Sequence, residues 1–243
     1  GDMMISALMD AGVPVDALTE LVGKISPAAP SMKPVRLTQG VISGIHLEIG
    51  ESGRYYTISE MEEVIGGIDV EKRVRDDALG MLSRIVAAES KIHGMSRDEL
   101  HLHELSHIDT IMDLLCVAYG VMYLGAQRVY CGPVPCGSGA INTSHGSIPN
   151  PPPVRLEILR GHQLVFYGEN LELTTPTGAA IVAHYTEPGR DAPAFKTVRE
   201  GYGVGTYTSS RPDVLRVFVG ETDEPAYNHE VEVIEADIDD MEM

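Results

Sequence analysis

Apolar residues recur at helical spacing from the start of the chain. Met4, Leu8 and Ala11 share one face, and Gly12-Val13-Pro14 stops the run. Val15–Ile25 reads as a second short helix, after which Pro27, Pro30 and Pro34 are expected to break regular structure. From Val35 the period shortens to the alternation of strands, over residues 36–38 and 42–49, with Gly40, Gly44 and Gly50 as punctuation. Ser59, with Glu62 three residues on, has the spacing of a capping box and predicts the next helix start. The clearest helix covers residues 70–93. Val74, Ala78, Leu82 and Ile85 form its apolar stripe, Lys72, Arg73, Arg75 and Asp76 turn outward, and Gly94 ends it.

Residues 100–105 alternate as a strand would. His101, His103 and Leu105 then share one face, with Leu100, Leu102 and Glu104 on the other. Residues 106–124 form a helix that is apolar nearly all round and therefore central and buried. Residues 129–131 read as a strand. The Gly-, Pro-, Ser- and Asn-rich stretch 132–153 reads as a long irregular segment of the kind that tends to be functional. Helices at 153–160 and 176–184 flank a strand at 163–167, late strands follow at 214–219 and 231–234, and 221–229 reads as an acidic linker. The pattern is that of an α/β protein: a mixed sheet with packed helices over residues 1–220.

Charge narrows the function classes. The chain has 243 residues with 36 Asp+Glu against 18 Lys+Arg, a formal charge of −18. Such a chain lacks the basic footprint of a nucleic-acid binder and is repelled by anionic membranes. No apolar run reaches the ~20 residues of a spanning helix. Gly1-Asp2-Met3-Met4 lacks the basic start of a signal peptide, and Cys116, Cys131 and Cys136 do not make a secreted disulfide pattern. A cytoplasmic protein is expected.

Several groups could do chemistry. On a strand, His101 and His103 would point the same way and could share a metal ion. With Glu104 beside them and His107, Asp109 and Asp113 downstream, the donor set suits nickel, zinc or iron. Surface polarity on an edge strand is the alternative. Ser106 and Asp109 also have capping-box spacing. Asp113, among Ile111, Met112, Leu114 and Leu115, needs a partner if buried. His145, beside Gly146 in the long segment, is a second candidate ligand or catalytic residue. Thr175 is placed to cap the helix that Pro176 begins, leaving N–H groups of Thr177, Gly178 and Ala179 to face an anion, or simply capping a packed helix. Gly201-Tyr202-Gly203-Val204-Gly205 lacks the following helix of a dinucleotide fingerprint, which excludes that reading. Cys131 and Cys136 do not have zinc-ribbon spacing.

Taken in order, these segments resemble the LarC family of nickel-insertion proteins, over essentially the whole chain. The likeness rests on Gly1-Asp2-Met3 with residues 7–13, His101-Leu102-His103-Glu104 with Asp109 and Asp113, and Pro133 to Gly139. It continues through His145-Gly146-Ser147-Ile148-Pro149, Thr174 to Ala180, Gly201 to Thr206 and Asp237 to Met241. It implies a nickel chelatase of the lyase class acting on pyridinium-3,5-bisthiocarboxylic acid mononucleotide, forming metal–sulfur and metal–carbon bonds to give the nickel-pincer cofactor of lactate racemase. It also implies CTP with a divalent metal, bound in a C-terminal domain. Relatives usually carry a short strand and Gly-rich turn before Gly-Asp-Met, and many have a His-rich stretch where residues 51–59 here lack histidine. Family chains continue into a ferredoxin-like domain, so residues 221–243 are expected to be a linker and the first strand of that domain. Under this reading His101, His103, Glu104 and His145 are the catalytic residues, and His101, His103, Asp109, Asp113 and His145 hold the metal. Thr175, Thr177 and Gly178 bind the mononucleotide. A metallohydrolase using the His101/His103 site, with Glu104 as base, and a non-catalytic nickel-binding assembly subunit remain the alternatives; a homo-oligomer is left open.

Overall fold

A computed structural model describes residues 1–26, 29–50, 54–143, 146–207, 211–222 and 232–238, the last segment and residue 104 as backbone only. Two helices, α1 (Asp2–Asp10) and α2 (Val15–Ile25), precede a hairpin of β1 (Met32–Gln39) and β2 (Ile42–Ile49). Helices α3 (Ile58–Gly67) and α4 (Lys72–His93), two single 3-10 turns at Arg97–Glu99 and His103–Ser106, and α5 (Ile108–Tyr123) come next. The remaining elements are β3 (Arg128–Cys131), β4 (Val134–Cys136), β5 (Ala140–Thr143), β6 (Gly146–Pro149), α6 (Pro153–Ile158), β7 (Leu164–Phe166), α7 (Pro176–Tyr185), β8 (Lys196–Val204), β9 (Val214–Glu221) and β10 (Glu232–Ile238).

The main sheet has six strands in the order β1-β2-β8-β9-β10-β3. It is mixed: β2/β8 and β10/β3 run parallel, while β1/β2, β8/β9 and β9/β10 run antiparallel. The α/β class with a mixed sheet and packed helices is therefore observed. Pro34 does not break the chain as expected. It lies within β1 opposite Leu47, because an edge strand can spare the N–H that proline lacks. Residues 132–153 are also more regular than expected: β4 pairs with β7, β5 forms a hairpin with β6, and the Asn150–Pro151 peptide is cis. The strand β10 pairs with β9 on one side and β3 on the other, while residues 223–229 of the expected linker and residue 231 of the expected strand lie outside the described residues.

The core forms where α4 and α5 pack on each other, with α1 between α5 and the sheet. Ile111, Met112, Leu114, Leu115, Cys116, Val117 and Ala118 on α5, and Val74, Ala78, Met81, Leu82 and Ile85 on α4, are fully buried. Helix α1 sits on β8 through glycine. A Cβ on Gly203 would lie 1.9 Å from the Met3 carbonyl oxygen, and one on Gly201 would lie 2.1 Å from that of Ala7. The glycine-rich motif thus serves close approach of helix and strand, which a side chain would forbid. Local signals place most helices well. Gly94 caps α4 in the left-handed conformation at φ 64°. The capping box of α3 sits two residues earlier than predicted, between Thr57 and Glu60.

Candidate functional site

Two helix starts meet at a buried carboxylate. Thr175 caps α7, accepting a hydrogen bond from the Gly178 N–H at 3.1 Å, and Pro176 begins the helix. The Ala179 N–H is bonded to the Thr175 carbonyl at 2.8 Å. Two of the three amides expected to face an anion are therefore engaged in starting the helix. Thr177, itself buried, lies 3.0 Å from Thr175 through the two hydroxyls. The Gly1 nitrogen, ahead of α1, donates to Thr177 Oγ1 at 3.1 Å and lies 3.1 Å from Asp113 Oδ2. Burial lifts the Asp113 carboxyl above the usual range and Asp2 adds to the rise, against a Thr177 hydrogen bond.

Segments far apart in sequence converge on the same region. Thr174 Oγ1 donates to the Pro135 carbonyl at 2.8 Å, and Asn150 Nδ2 donates to that of Leu171 at 2.8 Å. The Gly205 N–H bonds the Asp213 carbonyl at 2.8 Å, and the Asp213 carboxylate accepts from the Tyr207 N–H at 2.9 Å. Arg155 on α6, wholly buried, forms an ion pair with Glu172. Sequence reasoning passed over Arg155 and Glu172. The available signal was a lone cation among Val154, Leu156, Ile158 and Leu159.

The histidines lie elsewhere. A cavity of about 730 Å³ is lined by Tyr55, Tyr56, Thr57, Arg97, Asp98, His101, His103 and His107, among others. Its two walls are joined by the Tyr56 N–H to the Ser106 carbonyl at 2.7 Å and by an antiparallel bridge between Tyr55 and His107. The expected strand over residues 100–105 is not formed. His103 takes a left-handed φ of 45°, the Leu105 N–H returns to the Leu102 carbonyl at 2.8 Å, and the chain coils into a 3-10 turn. Leu100 and Leu102 are buried as an alternating strand would bury them, so the turn meets the same apolar demand. His101 and His103 are exposed and line the same cavity, without the strand that was to align them.

His107 caps α5 through its backbone alone, so the Ser106/Asp109 capping box is absent and Ser106 Oγ bonds the His103 carbonyl. Asp109 opens α5. Partial desolvation lifts its carboxyl above the usual value and the nearby His107 opposes the rise. Asp109 lies one turn from Asp113 on the same face of α5. His145 and the side chain of Glu104 lie outside the described residues. Among the described residues, no three His, Cys, Asp or Glu side chains are arranged to hold a metal ion. Cys116 and Cys136 are buried with thiols pushed above their usual value, which disfavours thiolate chemistry. No helix among the described residues is long and apolar enough to cross a membrane.

The profile of the nickel insertion protein family matches residues 1–243. The chain belongs to this family. A protein of Clostridium kluyveri named pyridinium-3,5-bisthiocarboxylic acid mononucleotide nickel insertion protein is 35% identical over 256 residues, covering 99% of this chain and 64% of its own length. A Nocardioides protein of the same name is 34% identical over 223 residues, covering 90% of this chain and 57% of its own. A Syntrophobacter fumaroxidans relative, also named for nickel insertion, is 34% identical over 99% of this chain and 63% of its own length. The chain therefore spans less than two thirds of the length of these relatives. No solved structure matches it.

Proposed function

We propose that the protein carrying this chain inserts nickel into pyridinium-3,5-bisthiocarboxylic acid mononucleotide, the activity for which its Clostridium and Nocardioides relatives are named. Family membership over residues 1–243 is the observation that carries the reading. The histidine-lined cavity beside Asp109 supports it, since imidazole and carboxylate suit nickel and bind it without the permanence of a thiolate cage.

In this reading nickel is cargo. His101, His103 and Asp109 take it up, and Glu104 and His145 serve as ligand or base while it is transferred. Thr175, Thr177 and Gly178 form the start of α7, toward which the phosphate of the mononucleotide is drawn by the helix dipole. Asp113, hydrogen-bonded by Thr177, holds that helix start in place. The CTP requirement, with its divalent metal, belongs to the part of the protein that the relatives have beyond the matched region, with a domain boundary near residue 220. We place the reaction in the cytoplasm.

Two measurements test this. Nickel bound at equilibrium is compared between the unaltered chain and the His101→Ala/His103→Ala variant; the variant is expected to lose most of its binding, and equal binding overturns the metal assignment. The full-length protein is then incubated with nickel, CTP and the mononucleotide. Appearance of nickel-pincer absorbance is the expected outcome, and its absence removes the proposed reaction.

A further inference from the structure

Tyr55 stands on the wall of the histidine-lined cavity. It is 66% exposed and faces the space that His101, His103 and His107 also line. Its backbone is pinned by the bridge to His107, and its ring lies 4.4 Å from the His107 imidazole, tilted by 46°. An aromatic side chain held rigidly at a cavity wall loses little freedom when a flat ligand lies against it. The wall beyond carries Asp98, whose carboxylate favours a positive charge, while Glu60 is engaged by Arg54 and Thr57 and Arg97 is paired to Glu62.

We infer that Tyr55 is the platform for a planar cationic ring in this cavity, and so a substrate-positioning residue for the reaction proposed above, on which this inference rests. A tyrosine face attracts a ring that carries positive charge more than the same ring without it, through the quadrupole of the phenol. A pyridinium is such a ring. Stacked on Tyr55, the ring would lie in the cavity that His101 and His103 line.

The test is equilibrium binding of nicotinate mononucleotide, a pyridinium mononucleotide, and of its dihydropyridine form, which keeps the ribose phosphate and loses the ring charge. Both are titrated calorimetrically into the unaltered full-length protein and into Tyr55→Phe and Tyr55→Ala, with nickel titrated in parallel. Tyr55→Ala is expected to bind the pyridinium form about tenfold more weakly, Tyr55→Phe to stay within about threefold, and the neutral ring to be indifferent to either change. Nickel binding unchanged in Tyr55→Ala shows that the variant is folded. Equal pyridinium affinity in Tyr55→Ala and the unaltered protein overturns the inference, as does a neutral ring that suffers the same loss. The nickel titration of His101→Ala/His103→Ala fails or succeeds independently of these outcomes, so the two readings are separable.

Discussion

Arg155 has no exposed surface, and its Nε and Nη1 have no hydrogen-bond partner among the described residues; Glu172 answers its charge. Burial pulls the guanidinium pKa below its ordinary value and the Glu172 charge pushes the other way. Glu172 is one-third exposed, so the two partners are not equivalent. Removing the arginine leaves a carboxylate that water can reach, whereas removing the glutamate strands a charge in the interior. Glu172→Leu is therefore expected to cost about 3–5 kcal/mol. Arg155→Leu should cost clearly less, and the double variant should recover much of the Glu172→Leu loss, all read from urea midpoints. Asp77 offers a residue-scale test in pH. Burial alone would raise its carboxyl, but hydrogen bonds from His184 Nε2 and Tyr185 Oη, at 3.0 Å each, with the charges of His184 and Arg73, hold it below the ordinary 3.8. A depressed carboxyl stabilises the fold above its unfolded pKa, and that contribution fades as pH falls through the folded value. Asp77→Asn should thus lose about 1–2 kcal/mol at pH 7. The gap to the unaltered protein should close below about pH 3.8. A gap that persists there would show that geometry, rather than charge, makes Asp77 matter.

Elements were legible where their signal is local. The stripe on α4, its left-handed Gly94, the Thr175-Pro176 start of α7 and the all-round apolar α5 are each written within a few turns of chain. The errors occur where two local solutions bury the same residues. Leu100 and Leu102 are as buried in a coil of 3-10 turns as they would be in a strand, and nothing in the alternation announces the left-handed φ of His103. Glycines at 201 and 203 were visible as a motif, but their purpose is a contact with α1 about two hundred residues away in sequence. That contact is sharply testable. An alanine Cβ at 203 would overlap the Met3 carbonyl, and the backbone of a helix cannot yield as a flexible side chain does. Gly203→Ala should destabilise by about 3 kcal/mol or more, at the upper end of overpacking costs. Thr175→Ala, which removes a helix cap, should cost about 1 kcal/mol. Urea denaturation of both variants checks the ranking; equal costs would mean that α1 lifts off β8 freely.

On the scale of the whole molecule, the candidate site was legible as a set of residues but not as an arrangement. Asp113 and Thr177 were separate candidates in the sequence, and the fold joins them through the starts of α1 and α7; His101 and His103 it places on a different cavity wall. Helix α5, with His107 at its start on the cavity wall and Asp113 beside Thr177, connects these regions, and such long-range pairing leaves no trace in local periodicity. The sheet raises the same issue at the proposed boundary near residue 220. Strand β10 lies between β9 and β3 and hydrogen-bonds to both, so it closes a gap in the main sheet. If the residues after 220 served only as a lead into another domain, a chain ending at Thr222 would keep the stability of residues 1–243. The pairing predicts otherwise. Without β10, β9 becomes an unpaired edge rich in Val214, Val217 and Val219, and β3 loses its neighbour in the sheet among the described residues. The shortened chain should unfold at a distinctly lower urea concentration, with a smaller denaturant slope for the smaller buried surface, and should aggregate through the bared edge. Unchanged midpoint and slope would assign β10 to the following domain and leave a five-stranded arrangement split between β9 and β3.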